Sequence, residues 1–232
     1  MSVVNVLSGG AAAAVVKGVQ AQFERETGCR ISSTFSAVGQ MRDQLLAGAP
    51  CDLVILTKPL IAQLVTSGHV VAGTGRSLGL VKTGVAVKAG HPHPPIGDRE
   101  ALAAAFRAAK AIYYPDPDKA TAGIHFMNVL KALGLDQELK PAFRPYPNGA
   151  TAMGEMAKST DANAIGCTQE TEINYTAGVE RVGSLPQEFE LATDYTLGIC
   201  AKALQPELAR KLAAMVAGPA SEAIRRQGGF EF

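Results

Sequence analysis

The chain has 232 residues, 47% of them hydrophobic, and a formal net charge of +1. That is enough apolar material for one large core or two smaller ones, and too little charge for whole-chain attraction to nucleic acid or an anionic membrane. Aromatic residues make up only 6% of the chain and tryptophan is absent, which argues against stacking platforms for single strands or sugars, and no apolar run reaches bilayer length. The four cysteines, Cys29, Cys51, Cys167 and Cys200, lack a CxxC or Cys/His spacing, so no metal centre and no cofactor are expected. Met1 lies too close to the first strand for a signal segment. As written, the sequence reads as cytoplasmic, or as periplasmic if a signal was removed.

Val4–Leu7 is an apolar strand that stops at Ser8-Gly9-Gly10, and an alanine-rich helix with Val16, Val19 and Phe23 on one face follows at once. A strand, a small-residue turn and a helix start point backbone N–H groups and a positive dipole end at whatever lies above the turn. The pattern recurs. Cys29–Ser36 reads as a strand, then Ser36-Ala37-Val38-Gly39-Gln40 leads into a helix with Met41, Leu45 and Leu46, ending at Gly48. Cys51–Leu56 is a continuous apolar strand, of the kind buried on both faces. Thr57-Lys58-Pro59 then opens a third helix, with proline in its favoured first turn. Three βα units in succession predict a parallel sheet whose turns gather at the carboxyl edge of the strands.

Leu78–Lys88 is long for a single strand and predicts a crossing into a second lobe. His91-Pro92-His93-Pro94-Pro95 cannot be helical, and its two histidines lack a third ligand at metal-site spacing. A helix is expected over 98–109 and a strand over 111–114. Pro115–Gly123 then leads into a helix for which Thr121 is the expected cap. Further on come a short strand over 143–146 and a turn through Asn148-Gly149-Ala150-Thr151 into another helix. The strand from Ala164 ends at Thr168-Gln169-Glu170. Ala192–Ala201 mirrors the earlier long strand and crosses back, and helices over 206–216 and 221–226 pack on the first lobe. The expected lobes are 1–82 with 197–232, and an inserted 83–196, joined by two hinge strands that allow closure on a ligand.

Ser8, the segments Phe35–Gln40 and Ala47-Gly48-Ala49-Pro50, Asp52–Ile55, Asp116-Pro117, Ala122-Gly123-Ile124, Ala132-Leu133-Gly134 and Ile165-Gly166 together resemble the molybdate-binding, ModA-type solute-binding proteins of ABC transporters. The resemblance implies an α/β, two-lobed type II periplasmic-binding-protein fold, with two open, mostly parallel sheets and an oxyanion held in the inter-lobe cleft by hydroxyls and amides. Ser8 matches the family's first-turn serine. Thr57 replaces an alanine whose backbone N–H binds the anion. Val38 and Gly39 lie where the family has a serine-rich turn, and Gln169 where it has a tyrosine.

The expected ligand-binding residues are Ser8, Gly9, Gly10, Ser36, Gly39, Gln40, Thr57, Lys58, Thr121, Asn148, Gly149, Ala150, Thr151, Thr168 and Gln169. Lys58, Arg42 and the amide side chains suit a larger anion with separated carboxylates, an organic di- or tricarboxylate. The expectation is therefore a binding module for a small anion, with an ABC permease as partner only for an exported copy, and neither nucleic acid nor membrane insertion. The alternative is an enzyme similar to aconitate isomerases, shifting a proton on a tricarboxylate. Glu170, His125 and Lys58 are then the candidate acid/base and charge-stabilising groups.

Overall fold

The computed structural model describes residues 2–161 and 163–232. In chain order its elements are β1 (Val3–Gly9), α1 (Ala13–Thr27), β2 (Arg30–Ser36), α2 (Val38–Leu46), β3 (Leu53–Thr57), α3 (Lys58–Thr66) and β4 (Arg76–Lys88). There follow α4 (Arg99–Ala108), β5 (Ala111–Pro115), α5 (Thr121–Ala132), β6 (Phe143–Tyr146), α6 (Gly149–Lys158), β7 (Ala164–Gln169), α7 (Glu170–Asn174) and β8 (Val179–Ser184). β9 (Ala192–Ile199), α8 (Pro206–Ala217), α9 (Glu222–Gly228) and β10 (Phe230–Glu231) complete the chain. It divides into two compact units, Met1–Val81 with Thr193–Phe232, and Lys82–Ala192. They are called units 1 and 2 below.

In unit 1 the order β2-β1-β3 is parallel and β9 joins antiparallel to β3. Every residue of β3 is buried, as a strand covered by helices on both faces requires. The first helix does not start directly after the turn: a 3-10 turn over Gly10–Ala12 precedes α1. Phe23, Met41, Leu53, Leu64 and Leu212 are among the residues of one continuous core. Burying each such side chain contributes about 1.5–3 kcal/mol.

A buried carboxylate ties this unit together. Asp52, 1% exposed, accepts from the backbone N–H of Asn5 at 2.7 Å and from that of Gln205 at 2.8 Å. Gln205 is the residue before α8, so a negative charge sits at that helix's positive end. The same aspartate thus fastens β1, the start of β3 and the C-terminal helix.

In unit 2, β6, β5 and β7 are parallel, and β4 runs antiparallel to both β7 and β8. The mixed residues of β8 gave no alternation to read in the sequence. Phe106, Phe126, Ile112 and Tyr114 gather in one cluster, while Met153, Met156, Ile173 and Tyr113 form another. A Cβ at Gly166 in β7 would meet the flexible end of Met153, with Cε at 2.5 Å. One structural expectation is corrected. Thr121 is not a cap: it is the first residue of α5, and the flanking position is Ala120, which makes no side-chain capping bond.

Replacing Asp52 with alanine should cost about 2 kcal/mol, because two partly buried N–H donors lose a charged acceptor, at roughly 1 kcal/mol each. Urea denaturation of the variant measures the loss.

Candidate functional site

In unit 1 the parallel register sets Gly9 opposite Ser36 and Ser8 opposite Ile55. The ends of β1, β2 and β3 therefore lie at one edge. Three helical segments start there, at Gly10, Val38 and Lys58, and none has a side-chain capping bond from the residue before it. Ser8, fully buried, donates its hydroxyl to the Gly9 carbonyl at 2.9 Å. Ser36, 7% exposed, donates to Gln40 Oε1 at 2.5 Å. Gly9 is required by close approach, since a Cβ would sit 2.7 Å from Val38 Cγ1. Gly39 and Thr57 are buried at the starts of α2 and α3. Gln40 lies within α2.

Lys58 is mostly exposed and lies 3.8 Å from Asp194 Oδ2, a separation and exposure at which an ion pair contributes little. Arg42 forks onto the neighbouring Asp43 Oδ1, with Nε at 3.0 Å and Nη2 at 2.7 Å.

Unit 2 is built differently. Asn148 accepts from the N–H of Thr151 at 2.8 Å and so caps α6 itself. The N–H groups of Gly149 and Ala150 bond to the carboxylate of Glu172, as does that of Gln169. Thr168 adds its hydroxyl to Glu172 Oε2 at 2.6 Å. A Cβ on Gly149 would collide with both Thr168 Oγ1 and Glu172 Oε2, so only glycine lets the carboxylate seat there. The helix start expected to receive a ligand thus already holds an anion of the chain's own. Burial pushes the Glu172 carboxyl above its ordinary value, against the hydrogen bonds from Thr168, Ala150, Gly149 and Gln169. Sequence reading missed this residue, because nothing in Glu170-Thr171-Glu172 marks which acid turns inward.

The candidate acid/base groups are engaged. Glu170, 5% exposed, accepts from Arg181 Nη1 at 2.7 Å and from Ser184 Oγ at 2.6 Å. His125 Nε2 donates to the Phe189 carbonyl at 2.7 Å. Gln169 is 2% exposed, and neither its Oε1 nor its Nε2 has a hydrogen-bond partner. His91 and His93 line a cavity of about 240 Å³ with Val87, Ala105 and Ile165. Among the described residues no three His, Cys, Asp or Glu side chains gather as metal ligands. All four cysteines are free and buried. No helix among the described residues is long and apolar enough to cross a membrane.

This α/β architecture is shared with proteins that carry small solutes. The pattern of the bacterial extracellular solute-binding proteins matches residues 4–231, and the chain belongs to that family. Among solved structures, the periplasmic molybdate-binding protein of Azotobacter vinelandii superposes with a TM-score of 0.81 at 18% identity, covering 99% of each chain. The sulfate-binding protein SubI of Mycobacterium tuberculosis H37Rv superposes at 0.74 with 17% identity, covering 99% of this chain and 86% of that one. An aconitate isomerase from Pseudomonas sp. is 26% identical over 237 residues, 98% of this chain and 87% of the relative.

The Glu172 environment sets a pH dependence. Its folded proton affinity is raised, so the folded chain binds more protons than the unfolded one above about pH 4.5. The stability it contributes is full below that point and is lost as pH rises through the folded value. The urea midpoint of the wild type relative to Glu172→Gln should therefore fall as the pH rises above about 4.5.

Proposed function

We propose that this chain is a binding protein for a small organic anion, a di- or tricarboxylate, held by the turns at the carboxyl ends of its strands. The observation that carries this reading is in unit 1. Three parallel strands deliver three side-chain-free helical starts to one edge, with Ser8, Ser36 and Thr57 beside them. Backbone N–H groups at such positions favour negative charge, each end by about 0.3–1 kcal/mol at an exposed site and more when partly buried. Family membership and the likeness in fold to molybdate- and sulfate-binding proteins support an anionic ligand. In unit 2, Thr168 and the first N–H groups of α6 serve Glu172 instead. An ABC permease is the partner expected for an exported copy.

A second reading, isomerisation of a tricarboxylate, rests on the aconitate isomerase relative. It requires a base: Glu170 is held by Arg181 and Ser184, while the Nε2–H of His125 on the Phe189 carbonyl leaves Nδ1 as an acceptor. Binding is the preferred reading because the helical starts of unit 1 suit an anion without any acid/base group. Proton NMR with cis- or trans-aconitate in deuterated water tests the second one: conversion or exchange at high protein concentration would establish it.

Calorimetric titration of the purified, dialysed chain with sulfate, molybdate and small carboxylates tests the first. Binding of at least one carboxylate is expected, with Ser8→Ala weakening it about tenfold, the equivalent of one hydrogen bond of roughly 1.4 kcal/mol. No heat and no thermal stabilisation from any of these anions would overturn the proposal.

A further inference from the structure

Among the described residues of unit 2, three side chains are buried with unmet hydrogen-bonding atoms: Thr83 Oγ1, Thr171 Oγ1, and both Oε1 and Nε2 of Gln169. They are 1%, 2% and 2% exposed respectively. Thr83 and Gln169 are register partners of the antiparallel β4–β7 pair, and directly opposed residues point to the same face, with Cβ atoms about 4.5–5.5 Å apart. Thr171 follows Gln169 by two residues. The polar groups around them are satisfied: Thr168 by Glu172, and Arg181 and Ser184 by Glu170. The unmet atoms are thus concentrated at the carboxyl end of β7, one of the edges at which such sheets receive ligands.

Buried polar groups without partners are rare in folded proteins and call for an explanation. A ligand that supplies the missing partners is one. The amide of Gln169 also specifies what that ligand must carry. Both ends of the amide are unmet, so exchanging its oxygen and nitrogen leaves the requirement unchanged. Nε2 and the threonine hydroxyls can donate to an anion. Oε1 can only accept. Sulfate, molybdate and a fully ionised carboxylate offer acceptors alone and would leave that oxygen buried and unpaired.

We infer that the Gln169, Thr83 and Thr171 corner selects an organic anion that also donates a hydrogen bond there, a hydroxy-carboxylate, over its unhydroxylated counterpart and over inorganic oxyanions. This rests on the anion-binding reading above and narrows it. Gln169 Oε1 takes the ligand hydroxyl proton, while Nε2 and the threonine hydroxyls face its carboxylate. A site built to bond a hydroxyl discriminates strongly against an analogue lacking it, because its own polar group is left stranded.

The test is calorimetric titration of the full chain with matched pairs, malate against succinate and citrate against tricarballylate, with sulfate and molybdate alongside. The wild type should bind the hydroxylated member of at least one pair about tenfold or more tightly. Gln169→Leu and Gln169→Met should bind both members within about twofold, with ligand-free melting temperatures no lower than the wild type's, since an unpaired buried amide has been replaced by an apolar group. Thr83→Val should weaken both members alike. If the anions bind but the pairs are equal, or if the Gln169 variants keep the preference, the inference is wrong while anion binding stands. If no anion binds, both fall together.

Discussion

Parallel pairing is the constraint from which the rest follows. Two parallel neighbours cannot be joined by a tight hairpin, so each strand must return through a helix, and every such helix begins at the same edge of the sheet. In unit 1 this places Gly9, Ser36 and Thr57 side by side without any direct contact having to arrange them. Small residues stand at these ends, and the helical segments that follow have no side-chain capping bond from the residue before them. Unit 2 obeys the same rule for β5, β6 and β7 and uses one of its edges differently.

That difference is electrostatic. A helix start attracts a negative charge from wherever one is available. At the helical starts of Gly10, Val38 and Lys58 in unit 1 the preceding residue makes no side-chain capping bond, whereas at α6 Asn148 and Glu172 both take that position. The cost is a carboxylate removed from water, offset by the hydrogen bonds of Thr168 and three backbone N–H groups. The two units therefore differ at their edges: unit 1 has helical starts without side-chain caps, and unit 2 has a buried carboxyl group at the start of α6.

Much of this was legible before any coordinates. The apolar run of β3 could only be a doubly covered strand. Gly48, the expected end of α2, stands at positive φ just past that helix, where a left-handed residue is favoured. The Gly-Ala-Pro-x-Asp segment marked a turn, and the structure shows why the aspartate is there, since it caps a helix more than a hundred residues away. What stayed hidden depends on long-range placement. Threonine in a strand reads as a good β-former, so Thr83 gave no sign of an unmet hydroxyl. Glu172 and Glu170 look alike in sequence, and only the approach of α6 and of Arg181 separates their tasks. Proline and glycine spacing showed that a turn precedes α5, but not that Thr121 would fall inside the helix.

The reach of Asp52 carries a consequence for biosynthesis. Its second backbone donor, at Gln205, lies 153 positions downstream, and Arg225, near the end of the chain, donates to the Leu78 carbonyl at 2.8 Å. Unit 2 is contiguous and leaves the ribosome whole, whereas unit 1 is finished only when its final segment has been translated. A nascent chain halted before residue 205 would present an aspartate lacking its Gln205 donor and an open sheet to chaperones and proteases, with the inserted half already free to fold.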